Sequence, residues 1–171
     1  MLRVLKSINF SYVAAEDRIL AAINPGGAEA WSCWLTRRLV LALLDRSSDF
    51  LVSTSPLVQQ VPTEVRGELA TFEREAAMAS TARAMSSTPA DVIKASKIAA
   101  ELAEGLKISS QPNGFRVELQ GEKGIGAAGL LTRAELQRLL QMLQAEVARA
   151  GWFATSAGMT GEAAGPKPVR H

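Results

Sequence analysis

A chain of 171 residues with 47% apolar and 21% charged content is long enough for one globular domain with a real core. A formal charge of +2 argues against a strongly cationic nucleic-acid binder, although residues 106–171 are mildly basic. The lone cysteine, Cys33, excludes an internal disulfide, and the lone histidine, His171, removes most zinc chemistry, which needs three or four Cys, His or carboxylate ligands.

From the N-terminus, Val4, Ile8, Phe10 and Tyr12 alternate in part. Residues 18–23 follow after "AAED", so a hairpin is predicted. Asn24-Pro25-Gly26-Gly27 is a strong breaker. Residues 30–35 then read as a third strand, with Thr36 as the N-cap of a helix over 37–46; one helix over 28–46 is the other reading. The apolar run at 39–44 has no polar face and is expected to be buried. It is far shorter than the about 20 residues of a membrane span, and the N-terminus carries no apolar leader, so the expected setting is the cytoplasm.

Residues 47–63 read as a Ser/Pro/Gln connection. Val65, Leu69, Phe72, Ala76 and Ala79 recur at helical spacing and predict a helix over 63–85 with one apolar stripe. Glu64, Arg66, Glu68, Glu73, Arg74 and Glu75 lie off that stripe. Thr88, Pro89 and Asp91 spell a helix start, predicting a helix to Glu104 with Val92, Ala95, Ala99, Leu102 and Leu106 on one face and Gly105 at its end. Pro112-Asn113-Gly114 is turn chemistry, and Phe115, Val117 and Leu119 alternate with Arg116, Glu118 and Gln120, so a second hairpin is predicted. Thr132 and Glu135 form a capping box. Leu136, Leu139, Leu140, Leu143 and Val147 follow as a buried stripe, and Gly151 closes the helix. Residues 154–171 are small, Gly/Pro-containing and aperiodic, and read as a disordered tail behind a domain of residues 1–153.

The expected fold class is α+β: antiparallel hairpins from the N-terminal and C-terminal parts packed against about four helices. Leu35-Thr36-Arg37 matches Leu131-Thr132-Arg133, and Leu43-Leu44 matches Leu139-Leu140. This suggests two pseudo-repeated ββα units; coincidence between Leu-rich helices explains the match equally well.

Gly124-x-Gly126-x-x-Gly129 has the letters of a dinucleotide fingerprint. The strand pattern stops near Leu119, the helix starts only at Thr132, and no acidic residue follows on a second strand. The motif is therefore read as a small-residue strand or loop that permits close packing, and no cofactor is expected. Cys33, between two tryptophans, reads as a buried small hydrophobe rather than a reactive thiol. Glu73/Glu75 and Glu101/Glu104 read as solvated helix faces rather than an acid/base pair.

No catalytic, cofactor-binding or metal-binding residue is assigned. Arg37 and Arg38 would sit in a first helical turn, against the macrodipole, where an anionic partner would offset them. Trp31 and Trp34 are either core or an aromatic contact patch beside these arginines. The candidate interaction residues are thus Trp31, Trp34, Arg37, Arg38 and Arg133. The function expected is a non-catalytic protein–protein interaction or assembly module, an oligomeric subunit or an adaptor, with a protein partner or self-association. The alternative is a nucleic-acid-associated regulator using a face of Arg37, Arg38, Arg133, Arg138, Arg149, Lys167 and Arg170. An enzyme with a carboxylate-only site is the least favoured reading.

Overall fold

A computed structural model of the chain describes residues 1–81 and 100–152. In chain order the elements are β1 (Leu2–Val4), β2 (Ile8–Val13), β3 (Arg18–Ile23), β4 (Trp31–Leu35), α1 (Arg37–Ser53) and the single turn α2 (Pro56–Gln59). A 3-10 turn (Thr63–Val65) then leads into α3 (Arg66–Thr81). Then come β5 (Glu101–Gln111), β6 (Gly114–Gly121), β7 (Gly126–Leu131) and α4 (Arg133–Arg149). The class is α+β, as the sequence predicts.

All seven strands form one sheet in the order β1-β7-β6-β5-β4-β3-β2. β1 runs parallel to β7 and β4 parallel to β5; the other neighbours are antiparallel. The two ends of this order, β1 and β2, are consecutive in the chain and separated by residues 5–7. Four Cα steps reach at most about 14 Å, so the sheet must curl until its ends approach. Asn24 holds the corner. Its side-chain oxygen accepts the N–H groups of Lys6 (2.9 Å) and Ser7 (3.0 Å), and its amide donates to the Val4 carbonyl at 2.7 Å. Asn24 adopts φ 46, a left-handed conformation that asparagine tolerates better than most residues.

The curled sheet wraps its core against α1 and α4. Ile8, Phe10, Ile19, Ala21, Ile23, Cys33, Leu35, Val117, Leu119 and Ala127 share the inner face with Val40 and Leu44 of α1. Leu136, Leu139, Leu140, Leu143 and Val147 supply the α4 stripe, as the sequence predicts. Cross-strand registers such as Phe10↔Ala21 and Leu119↔Ala127 place these side chains opposite one another. A second, smaller apolar set lies on the opposite face, where Leu20 and Ala22 are buried beside Ser32 and Trp34.

The predicted capping box is present: Thr132 accepts from Glu135 N–H, and the Glu135 carboxylate accepts from Thr132 N–H. Thr36 likewise caps α1 by accepting from Leu39 N–H. Each of these threonines follows a strand, β4 in one case and β7 in the other. Gly151 takes φ 68 just past α4, the left-handed C-terminal position that glycine occupies without a Cβ penalty.

Several expectations are corrected. α1 continues to Ser53 instead of stopping at residue 46. Ser47, which reads as a linker residue, bonds its hydroxyl to the Leu43 carbonyl at 2.6 Å, four residues back, and so fits inside a helix. The apolar run at 39–44 is buried only at Val40 and Leu44; Ala42 is exposed. The helix predicted to reach Glu104 does not do so. Residues 101–104 belong to β5, because pairing with both β4 and β6 overrides the helical spacing. Gly105 sits at a register shift in β5, a bulge rather than a helix end. Residues 88–99 of that predicted helix, residues 82–85 of the preceding one and the tail from residue 154 lie outside the described residues. The described residues hold three long helices and one single-turn helix, and most of the fourth predicted helix lies outside them. None of them is long and apolar enough to cross a membrane.

Candidate interaction surface

The five candidate residues do not gather into one patch. Trp31 and Trp34 are an odd number of positions apart on β4, so they point to opposite faces. Trp31 is buried and donates its indole N–H to Glu101 Oε1 at 2.7 Å. Trp34 is half-buried on the other face, in register with Leu20 and Leu102. Arg37 donates to the Trp152 carbonyl at 3.0 Å. Arg38 alone of the five is exposed. Arg133 lies 5.3 Å over the Phe115 ring and donates to the Leu51 carbonyl (3.0 Å) and the Thr54 hydroxyl (3.1 Å). Burial pulls its pKa down from the ordinary arginine value, opposed by the charge of Glu73, but a guanidinium remains cationic at neutral pH.

Glu101 is a second correction. It is not on a solvated helix face but buried on β5, where its Oε2 accepts the Lys123 N–H at 2.8 Å. Burial, and after it the charge of Glu101, push the neighbouring Cys33 thiol up to about 12, and Cys33 is fully buried in the core as a small side chain. The other buried carboxylate, Glu146, accepts the Tyr12 N–H at 2.7 Å and pairs with Arg149 at 3.2 Å. Among the described residues both buried carboxylates, Glu101 and Glu146, are thus held by donors. Among the described residues no three His, Cys, Asp or Glu side chains are gathered as a metal would require.

The glycine motif is explained by close approach. Gly121 to Gly124 is the β6–β7 turn, closed by a Gly124 N–H to Gly121 carbonyl bond of 3.1 Å, with Gly124 at φ 71. A Cβ on Gly126 would meet the Leu119 carbonyl oxygen at 2.6 Å, and one on Gly129 would meet the Leu5 carbonyl oxygen at 2.8 Å. The residues after the turn are strand β7, and no helix opens until Arg133.

A different surface stands out on α2 and α3. Glu73 turns inward: the Ser55 hydroxyl bonds its two oxygens at 3.0 and 3.1 Å, and Arg133 lies 3.9 Å away. At 100° per residue this fixes the rotation of the helix. Arg66, Leu69 and Ala70 are half-buried on the inner side, so the predicted stripe is split: Leu69 turns inward while Val65, Phe72 and Ala76 are exposed. Phe72 is 66% exposed and Val65 41%, with Leu57 of α2 at 54%. Glu64, Glu68 and Glu75, also exposed, form a row on the side of this ridge away from Glu73. The sequence shows the stripe but not this rotation, which depends on Ser55 and Arg133.

At the opposite end of the core, Asp17 anchors the C-terminal turn. Its Oδ1 accepts the Trp152 indole N–H at 2.9 Å and the Tyr12 hydroxyl at 3.0 Å, and the Tyr12 and Trp152 rings meet edge to face at 5.9 Å. Those two donors, Trp152 first, hold the Asp17 carboxyl below its usual range, with help from the charge of Arg37. Desolvation, then the Asp17 bond and charge, raise the Tyr12 phenol. A carboxyl whose pKa is lowered by folding stabilises the fold above its unfolded value and loses that contribution as pH falls through the folded one. Asp17→Asn should therefore flatten part of the acid limb of stability below about pH 4, which urea midpoints measured across that range will show. An unchanged acid limb would contradict this role.

Comparison of the chain with protein-family models, with curated protein sequences and with solved structures finds no match in any of the three.

Proposed function

We propose that the protein is a non-catalytic interaction module that docks an amphipathic helix of a partner protein on α3. One observation carries this reading: Val65 and Phe72 are exposed beside the acidic row of Glu64, Glu68 and Glu75, and Leu57 on the neighbouring α2 is exposed as well. Clustered apolar side chains rimmed by polar ones are characteristic of interaction sites. The exposed aromatic Phe72 supplies the kind of anchor that dominates binding energy. The acidic row favours a partner whose apolar face is flanked by Lys or Arg, and it disfavours two copies meeting ridge to ridge.

The two halves, β2–β4 with α1 and β5–β7 with α4, are read as related units that build one scaffold for this surface. The lone Cys33 supports a cytoplasmic setting for the module. A nucleic-acid face has less support, since its side chains already serve the chain: Arg37 bonds Trp152, Arg133 bonds Leu51 and Thr54, and Arg149 pairs with Glu146.

The test uses a fluorescent Leu/Lys amphipathic helical peptide and its Leu/Glu counterpart, followed by anisotropy. The Leu/Lys peptide should bind, less tightly as salt rises. Phe72→Asp should weaken binding by at least about tenfold. Because Phe72 is exposed, the same change should leave stability within about 0.5 kcal/mol. Equal binding of both peptides, or no effect of Phe72→Asp, would overturn the reading. A concentration-dependent dimer dispersed by Phe72→Asp would replace it with self-association.

A further inference from the structure

The charges on the outer side of α1 are ordered along its length. Val40, Leu44 and Ser47 are buried against the core. At 100° per residue the opposite side of the helix carries Arg38, Ala42, Asp45 and Asp49, which fall within about 60° of one another. All four are exposed. Their spacing of four, three and four residues is that of a seam along which one helix pairs with another. Leu41 and Val52, both half-buried, flank the seam on one side.

The cation comes first and the carboxylates last. In a lone helix this order opposes the macrodipole: Arg38 stands in the first turn, which holds no acidic residue, and the last turn holds no basic one. Nor is the charge met within the chain. Among the described residues Arg38, Asp45 and Asp49 enter no ion pair. The neighbouring Arg37 is turned inward, to the Trp152 carbonyl. Arg46 is rotated by about 80° from Arg38, beside the seam rather than on it.

A second copy of the same helix supplies the complement. In an antiparallel pair the layers of the seam join Arg38 to Asp49 and Ala42 to Asp45, each twice by the two-fold symmetry. Asp45 then lies one turn from Arg38 of the second copy, and the small Ala42 leaves room for it. Each helix start gains a carboxylate, which offsets the unfavourable Arg38. A parallel pair would set Arg38 on Arg38 and Asp49 on Asp49, so the order of charge selects the antiparallel one.

We propose that the outer face of α1 is a self-association surface, on which a second copy of the chain docks its own α1 antiparallel, Arg38 to Asp49. The seam is short and its pairs are solvated, so the association is weak and sensitive to salt. It uses no residue of α3 and does not rest on the docking reading.

Sedimentation equilibrium of the full-length protein up to about 1 mM, the range of weak association, should show a dimer that dissociates as salt rises. Arg38→Glu and Asp49→Lys should each weaken it by at least about tenfold, since either sets like charges together at both ends of the seam. Both positions are exposed, so the variants keep the fold, which circular dichroism will check. Mixed in equal amounts, the two variants should associate again, because each meets the opposite charge of the other at both ends. Phe72→Asp should leave the dimer unchanged while it weakens peptide docking. A monomer throughout the range, a dimer indifferent to either substitution, or a mixture of the two variants that stays monomeric would overturn the assignment. A dimer dispersed by Phe72→Asp would move the contact to α3 and overturn it as well.

Discussion

Gly121→Ala is expected to destabilise the protein by about 3 kcal/mol, at the upper end of overpacking costs. A Cβ at this position would lie 2.5 Å from the Glu101 carboxyl carbon, 2.7 Å from its Oε2 and 2.9 Å from Trp31 Cζ2. None of these can yield cheaply. Glu101 is buried, and its two oxygens hold the Trp31 indole N–H and the Lys123 N–H. Displacing it leaves a buried carboxylate with unmet hydrogen bonds, the more costly outcome. Urea denaturation of Gly121→Ala measures the loss, and Gly124→Ala provides the contrast. Gly124 has open space around its Cβ and only its φ of 71 to strain, so it should cost about 1 kcal/mol. Equal effects at the two positions would show that the Glu101 contact does not matter.

Arg133→Ala is expected to cost about 2–3 kcal/mol. The substitution removes hydrogen bonds to the Leu51 carbonyl and the Thr54 hydroxyl and the stacking over Phe115. It also leaves Glu73, whose side chain is 13% exposed, with the Ser55 hydroxyl but without the nearby cation. Glu73→Gln in the same chain should recover part of the loss, because a neutral amide costs less to bury than a carboxylate. Thermal unfolding of the single and double variants gives the coupling directly. Additive losses would mean that Arg133 and Glu73 act independently, and the orientation assigned to α3 would then lose its cause.

Both results concern residues whose roles were only partly legible in the sequence. What could be read were features set by neighbours in the chain. The Thr132–Glu135 capping box, the alternation from Phe115 to Leu119 and the α4 stripe are local patterns, and each is present. Features set by distant partners could not be read. Glu101 to Leu106 fits a helical spacing, yet β4 and β6 flank it and make it strand. Arg133 reads as an available cation because nothing in "LLTRAEL" announces that Leu51, Thr54 and Phe115 will surround it. The α3 stripe was visible as a stripe, but only the inward anchoring of Glu73 decides that Phe72 faces solvent. Gly126 and Gly129 were legible as close-packing residues because the neighbouring strand and helix signals excluded a phosphate cradle. What approaches them, the Leu119 carbonyl of β6 and Leu5 just past β1, was not, and Gly124 instead has open space and a positive φ.

The most direct test of the docking surface is amide chemical-shift mapping of the full-length protein titrated with the Leu/Lys helical peptide. The largest shifts should form one set at Leu57, Val65, Phe72 and Ala76, with the α4 core residues unmoved. Shifts scattered over the surface, shifts centred on Arg38, or none at saturating peptide would contradict it.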